Sequence, residues 1–196
     1  MAYSQGLLKP YRSEEDFRKL IRSEADRVLE EGVMVLTIKN KVLIPNAGID
    51  RSNVPGGMAV LWPHDPFGAA ENIRKDLMKK YGLRRLGIVI SDSHCQPLRM
   101  GTSGIAIGWA GIDGVRDDRG AKDLFGKKMV YTQVAVADNL ASTANLEMGE
   151  TNASVPFVIV RGAKVNFTSK KASADNYFIS PEECIYRGLY GGLVRV

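Results

Sequence analysis

The chain has 196 residues, 44% of them hydrophobic and 25% charged, the make-up of a soluble globular protein with material for one sizeable core. No apolar run approaches the roughly 20 residues that cross a bilayer, and Met1 to Pro10 lacks the basic and apolar regions of a secretory leader. The net charge of +5 is spread over pairs such as Lys79-Lys80, Arg84-Arg85, Lys127-Lys128 and Lys170-Lys171 without interleaved aromatics, which suits a small anionic ligand and argues against nucleic acid.

Ser13-Glu14-Glu15-Asp16 resembles a capping box, and Phe17, Leu20, Ile21, Val28 and Leu29 recur at helical spacing as far as Gly32, so residues 13–31 are expected to form one amphipathic helix. Residues 32–38 read as a strand, with Lys39-Asn40 turning the chain into Val42-Leu43-Ile44. A polar loop from Asn46 to Gly57 contains Asp50 and leads to a strand from Met58 to Trp62. Asp65 caps a helix that starts on Pro66, carries Ile73, Leu77 and Tyr81 on its apolar edge and stops at Gly82.

Leu86 to Ile90 is a near-continuous apolar run, expected as a central buried strand. Asp92 would then lie just past its C-terminal end, where open α/β sheets place ligands. Residues 101–112 read as a strand punctuated by Gly101, Gly104, Gly108 and Gly111, whose bare backbone suggests close approach by a ligand or a neighbouring chain. Polar turns from Asp113 to Lys128 precede a strand from Tyr131 to Val136, a small-residue helix from about Asp138 to Met148 and a strand from Pro156 to Val160. The tail from Ala163 to Ser180 is loop-rich, and Pro181-Glu182-Glu183 opens a last short helix. No repeat or linker interrupts the chain, so the expectation is one α/β domain over residues 1–196. Cys95 and Cys184 share no metal-type spacing and read as reduced thiols of a cytoplasmic protein.

A carboxylate at the mouth of a strand, among hydroxyl and amide side chains, suits a hard cation such as Mg2+ or Mn2+. Asp50 and Asp92 both have that setting, although Asp50 equally suits a local Asx turn and Asp92 a turn cap. His94 reads first as a packed residue and only second as a ligand or base. Asp118 and Arg119 suggest an ion pair fixing a turn, and Arg99 and Arg161, each near a strand end, suit bidentate binding of phosphate or carboxylate. Glu150, in Gly149-Glu150-Thr151-Asn152, marks either a turn or a further carboxylate ligand. There is no Walker A pattern, no nucleophile elbow and no His-Glu-x-x-His helix, so the residues alone lead to a metal-assisted site for a phosphorylated ligand.

The same loops resemble those of the coenzyme F420-0:L-glutamate ligase family, the F420 γ-glutamyl ligases. The matching runs are Asn46-Ala47-Gly48-Ile49-Asp50-x-Ser52-Asn53-Val54-Pro55, Ile90-Ser91-Asp92-Ser93, Arg99-x-Gly101 and Ala106-Ile107-Gly108-x-Ala110-Gly111. They continue through Asp118-Arg119-Gly120-x-x-Asp123-x-x-Gly126, Val134-Ala135-Val136-Ala137-Asp138, Met148-Gly149 and Val160-Arg161-Gly162, covering residues 22–162 and leaving 163–196 as a C-terminal extension.

The resemblance implies a mixed-sheet α/β fold, an interwoven homodimer, and a reaction that joins L-glutamate to F420-0 through a γ-linkage by way of an acyl phosphate. It implies GTP as co-substrate, with Mg2+ or Mn2+ (a pair of ions) and K+ as cofactors. By motif, Asp50, Asp92, Ser93 and Glu150 correspond to metal ligands, Glu150 standing where the family usually has glutamine. Asn53 and the segment Met148, Gly149, Glu150, Thr151, Asn152, Ala153, Ser154 and Val155 correspond to GTP contacts. Asn139 replaces a frequent acidic residue. The family also carries a further N-terminal segment with a GTP-binding Ser and Lys, and this chain enters the pattern only around its first helix. The reading therefore divides between a ligase subunit completed by a partner chain, a ligase-like enzyme with another acceptor, and a non-catalytic F420- or nucleotide-binding relative.

Overall fold

The computed structural model describes residues 7–190, which fall into two compact units. The first takes in the chain up to His64, residues 94–101 and the segment from Ala174. Strand β1 (Leu8–Pro10) pairs antiparallel with β5 (Met58–Val60), and helix α1 (Glu14–Glu24) follows β1. Ser13 caps α1 by accepting a bond from the Asp16 amide at 3.1 Å, and Glu14, Glu15 and Asp16 face the positive end of its dipole. Phe17 and Ile21, one turn apart, are buried against Val35, Ala47, Ile49, Ala59 and Leu61, the core of this unit.

The helix is shorter than its apolar spacing suggested. Ala25 turns extended, and Arg27–Glu31 is strand β2, paired antiparallel with β3 (Val35–Lys39), which pairs in turn with β4 (Val42–Pro45). Val28 and Leu29 fit a helix face by spacing alone. In the sheet a bulge between Val28 and Glu30 leaves both apolar side chains usable: Leu29 is buried and Val28 packs on the core. The β3–β4 turn is Asn40-Lys41, with φ of 48° and 65°, the left-handed pair that a two-residue hairpin needs. The Asn40 amide is held by Asp26 Oδ2 at 2.5 Å.

The second unit comprises residues 65–93 and 102–173. Helix α2 (Pro66–Tyr81) begins as the sequence indicates, with the Asp65 carboxylate accepting from the Gly68 amide at 2.8 Å and Pro66 in the first turn, and it ends on Gly82 at φ 62°. Strand β7 (Thr102–Ala110) carries α2 and α3 (Val136–Met148) and pairs with β6 (Ile88–Cys95). A side chain at Gly104 would overlap the Ala141 backbone of α3, and one at Gly108 would meet Pro66 of α2 at 2.6 Å. At Gly104 and Gly108 the bare backbone read as an approach for a ligand or a second chain is therefore filled by the chain's own helices, while Gly101 has open space around it. Phe67 meets Trp109 edge-on, ring centroids 5.0 Å apart.

Other expectations are corrected here. The described residues form a mixed α/β structure with four small sheets instead of one mixed sheet. Strand β6 has β7 as its partner among the described residues, is half-buried, and runs on through Cys95, so Asp92 lies within it and not beyond its end. The apolar run is legible, but the strand continues through the polar residues 91–95. Strands β8 (Val115–Asp117) and β9 (Gln133–Ala135) close a long hairpin whose arms stay bonded beyond them, from Asp118 N to Thr132 O at 3.1 Å and Gly120 N to Met129 O at 2.8 Å. Residues 156–160 form no strand among the described residues, and Phe157 and Ile159 are exposed; an apolar run without a pairing partner does not become a strand. Pro181 to Glu183 forms a turn, and the last helix, α4, is Arg187–Tyr190.

Candidate functional site

The Asp50 loop belongs to the first unit and is built on a strained turn. Asn46, Ala47 and Gly48 all have positive φ (53°, 55° and 67°). Asn46 Oδ1 accepts from the Val35 amide at 3.0 Å, the Ala47 amide is received by Thr37 Oγ1 at 2.9 Å, and a side chain at Gly48 would strike the Trp62 indole. These contacts explain the Asn-Ala-Gly run physically: each residue has a task in turning β4 toward Asp50. The Asp50 backbone then bridges to Val60 in both directions, donating at 3.1 Å and accepting at 2.8 Å.

The Asp50 side chain forms the Asx turn that its neighbours allowed. Oδ1 accepts from both the amide and the hydroxyl of Ser52, each at 2.7 Å. Asn53, exposed at φ 53°, follows directly. Sequence reasoning missed Arg51. Its Nη1 donates to Glu14 Oε2 at 2.7 Å and its guanidinium lies 4.1 Å from the centre of the Phe17 ring, so the loop is tied to α1. Glu14 raises the Arg51 pKa above its ordinary value. Nothing in the run around Arg51 pointed to this, because the partner residue Glu14 lies far away in sequence.

Asp92 and Ser93 belong to the second unit. They are half-buried, and Asp92 Oδ1 accepts from the Ser93 amide at 2.8 Å. His94 continues the same strand, also half-buried. Glu150 lies just beyond α3 in the second unit, where Oε1 accepts from Asn145 Nδ2 at 2.9 Å. Gly149 ends the helix with φ 69°, and Thr151 to Val155 is an exposed stretch with Ser154 at φ 56°. Arg99, in the first unit, and Arg161, in the second, are exposed and make no ion pair among the described residues.

The expected Asp118–Arg119 pair is replaced by crossed partners two residues apart. Arg119 grips Asp117, and Arg116 binds Asp118 through two bonds of 2.9 and 3.0 Å. Adjacent residues of an extended arm point to opposite sides, so residues at i and i+2 meet and those at i and i+1 do not. The Arg119 side chain holds the Asp117 pKa down to about 2, and Arg116 lowers that of Asp118.

No cluster of three His, Cys, Asp or Glu side chains suited to a metal occurs among the described residues. The donors that Asp50, Asp92, Ser93 and Glu150 present are all hard oxygens, the type that Mg2+ and Mn2+ take.

Residues 4–162 match the model of the family described as F420-0:Gamma-glutamyl ligase. The chain belongs to that family. The match begins upstream of residues 22–162, the span assigned to the resemblance, and ends with the last quoted motif at Gly162. Among curated members of the ligase family, the Coenzyme F420:L-glutamate ligase of Methanocaldococcus jannaschii is 43% identical over 155 residues, 78% of this chain and 61% of that protein. Its namesake in Methanococcus maripaludis is 38% identical over 165 residues (83% and 66%), and that of Methanothermobacter thermautotrophicus 41% over 144 residues (72% and 57%). The matched part of the chain thus spans less than two thirds of each of these relatives.

Proposed function

We propose that this chain acts in a ligase reaction joining L-glutamate, through a γ-linkage, to the carboxylate of F420-0, with GTP as co-substrate. The observation that carries the reading is the family match over residues 4–162, a span that includes the loops of Asp50, Asp92 and Glu150. In the proposed reaction the F420-0 carboxylate takes the terminal phosphoryl group of GTP, leaving GDP. The amino nitrogen of glutamate then attacks the acyl carbon, expels phosphate and loses its proton.

Asp50, Asp92, Ser93 and Glu150 are the residues that would supply oxygen ligands to divalent ions, whose chemistry when bound is to neutralise phosphate charge and polarise reacting oxygens. Asn53 and residues 148–155 would contact GTP. The exposure of residues 151–155 supports that role, since a nucleotide can reach their backbone. A homodimer goes with this reading. Leu124 and Phe125, at 99% and 95% exposure on the tip of the long hairpin, are apolar surface that such an assembly would cover.

The test is a calorimetric titration of GTP into the chain with and without Mn2+, beside Asp92→Ala, followed by an assay for glutamate addition to F420-0. Metal-dependent GTP binding that is lost in Asp92→Ala supports the reading. Equal binding by parent and variant refutes the assignment of Asp92.

A further inference from the structure

We propose that Ser52 and Arg51 are positioning residues for Asp50, holding its carboxylate in the orientation in which it meets a divalent cation. The inference rests on the reading of Asp50 as a metal ligand.

Restraints of three kinds converge on one exposed side chain. The Asp50 backbone is fixed by its reciprocal bonds to Val60 on β5. The next residue, Arg51, is fixed from the other side by the 2.7 Å bond to Glu14 and by stacking 4.1 Å above Phe17, which is itself 3% exposed in the core. The carboxylate is fixed by Ser52, whose amide and hydroxyl both reach Oδ1 at 2.7 Å.

An exposed aspartate needs none of this for solvation, because water satisfies it. An Asx turn needs only the amide bond to close. The hydroxyl adds a second donor to the same oxygen, and the Arg51 anchor holds the pair at a constant height above α1. With both donors on Oδ1, the carboxylate plane is set and Oδ2 is the oxygen offered to an ion. Carboxylates that bind metals are held by hydrogen bonds of this outer kind, and losing one typically costs about 10–100-fold in metal affinity.

The experiment is a Mn2+ titration of the full chain, followed by the EPR signal of unbound Mn2+, on the parent, Asp50→Asn, Ser52→Ala, Ser52→Thr and Arg51→Met, with a thermal melt of each. Ser52→Ala keeps the amide bond and loses the hydroxyl; its Mn2+ affinity should fall about 10-fold. Ser52→Thr restores the hydroxyl and should recover most of that loss. Arg51→Met keeps an apolar stem over Phe17, removes the charge, and should weaken Mn2+ in the same sense. Should Ser52→Ala and Arg51→Met bind as the parent does while Asp50→Asn loses the ion, positioning is overturned and the ligand role of Asp50 stands. A lowered melting temperature with unchanged affinity also overturns it, since that is a purely structural role. If Asp50→Asn equals the parent, or the parent takes up no Mn2+, both readings fail together.

Discussion

Replacing Thr37 by valine removes one oxygen from the place where the candidate loop is anchored. Thr37 is fully buried, and its Oγ1 donates to the Ile44 carbonyl at 2.5 Å while accepting from the Ala47 amide at 2.9 Å. Valine has nearly the same shape, so no cavity forms, but the Ala47 amide, on a residue only 1% exposed, loses its acceptor. Leaving a buried donor unsatisfied costs about 1–3 kcal/mol, and losing the bond to Ile44 adds about 0.5–1.5 kcal/mol. Together these amount to a loss of about 1.5–4.5 kcal/mol, or roughly 3–18 °C in Tm for a chain of this size. Urea and thermal denaturation measure it directly. Thr37→Ser is the control: it keeps both bonds, removes one methyl group and should cost only about 1 kcal/mol. A Thr37→Val loss below about 0.5 kcal/mol, in the range of an ordinary surface substitution, would refute the idea that this hydroxyl holds the turn before Asp50.

Gly104→Val should destabilise the second unit by about 1–3 kcal/mol or more, because its side chain would overlap the Ala141 backbone of α3; unchanged denaturant midpoints would show that α3 can shift freely. Asp117 has its folded pKa depressed to about 2 from an ordinary 3.8, so the stability contributed by its Arg119 partner is present above 3.8 and is lost as pH falls toward 2. An acid titration of the hairpin amides should show that loss, Asp117→Asn should remove it, and identical acid profiles would refute the pairing. Arg161→Ala should weaken GTP or F420-0 binding severalfold, on the order of one charge-assisted bond, with Mn2+ affinity unaltered; unchanged ligand affinity in calorimetry would assign Arg161 to ordinary surface.

What the sequence made legible was mostly local chemistry. Ser13, Asp65, Pro66 and Gly82 mark helix ends because caps and left-handed termini depend on the adjacent residues alone. The Asn40 turn was readable, one residue displaced, for the same reason. Val28 and Leu29 were misread because their spacing satisfies a helix and a bulged strand equally, and pairing with β3 decides between them. The glycines of β7 correctly announced a close backbone approach, but spacing could not say that the visitors would be Ala141 and Pro66. For the candidate site, Asp50 and its Asx partner Ser52 were visible in one short run, whereas the Glu14 anchor of Arg51 required the fold. Asp92 was found by a rule about strand ends and lies instead inside β6, since polar residues can prolong a ladder as well as terminate it.

The pairing of β1 with β5 has a practical consequence for how this protein is handled. Leu7 accepts from the Leu61 amide at 3.0 Å and Tyr11 donates to Gly57 at 2.9 Å, so the start of the described chain is zipped along the strand that closes the Asp50 loop. The pairing braces Val60, whose own backbone groups hold Asp50 from both directions. Mn2+ titrations are therefore best compared between variants that leave residues 8–10 intact, since loosening β1 would loosen β5 and with it the backbone that carries Asp50.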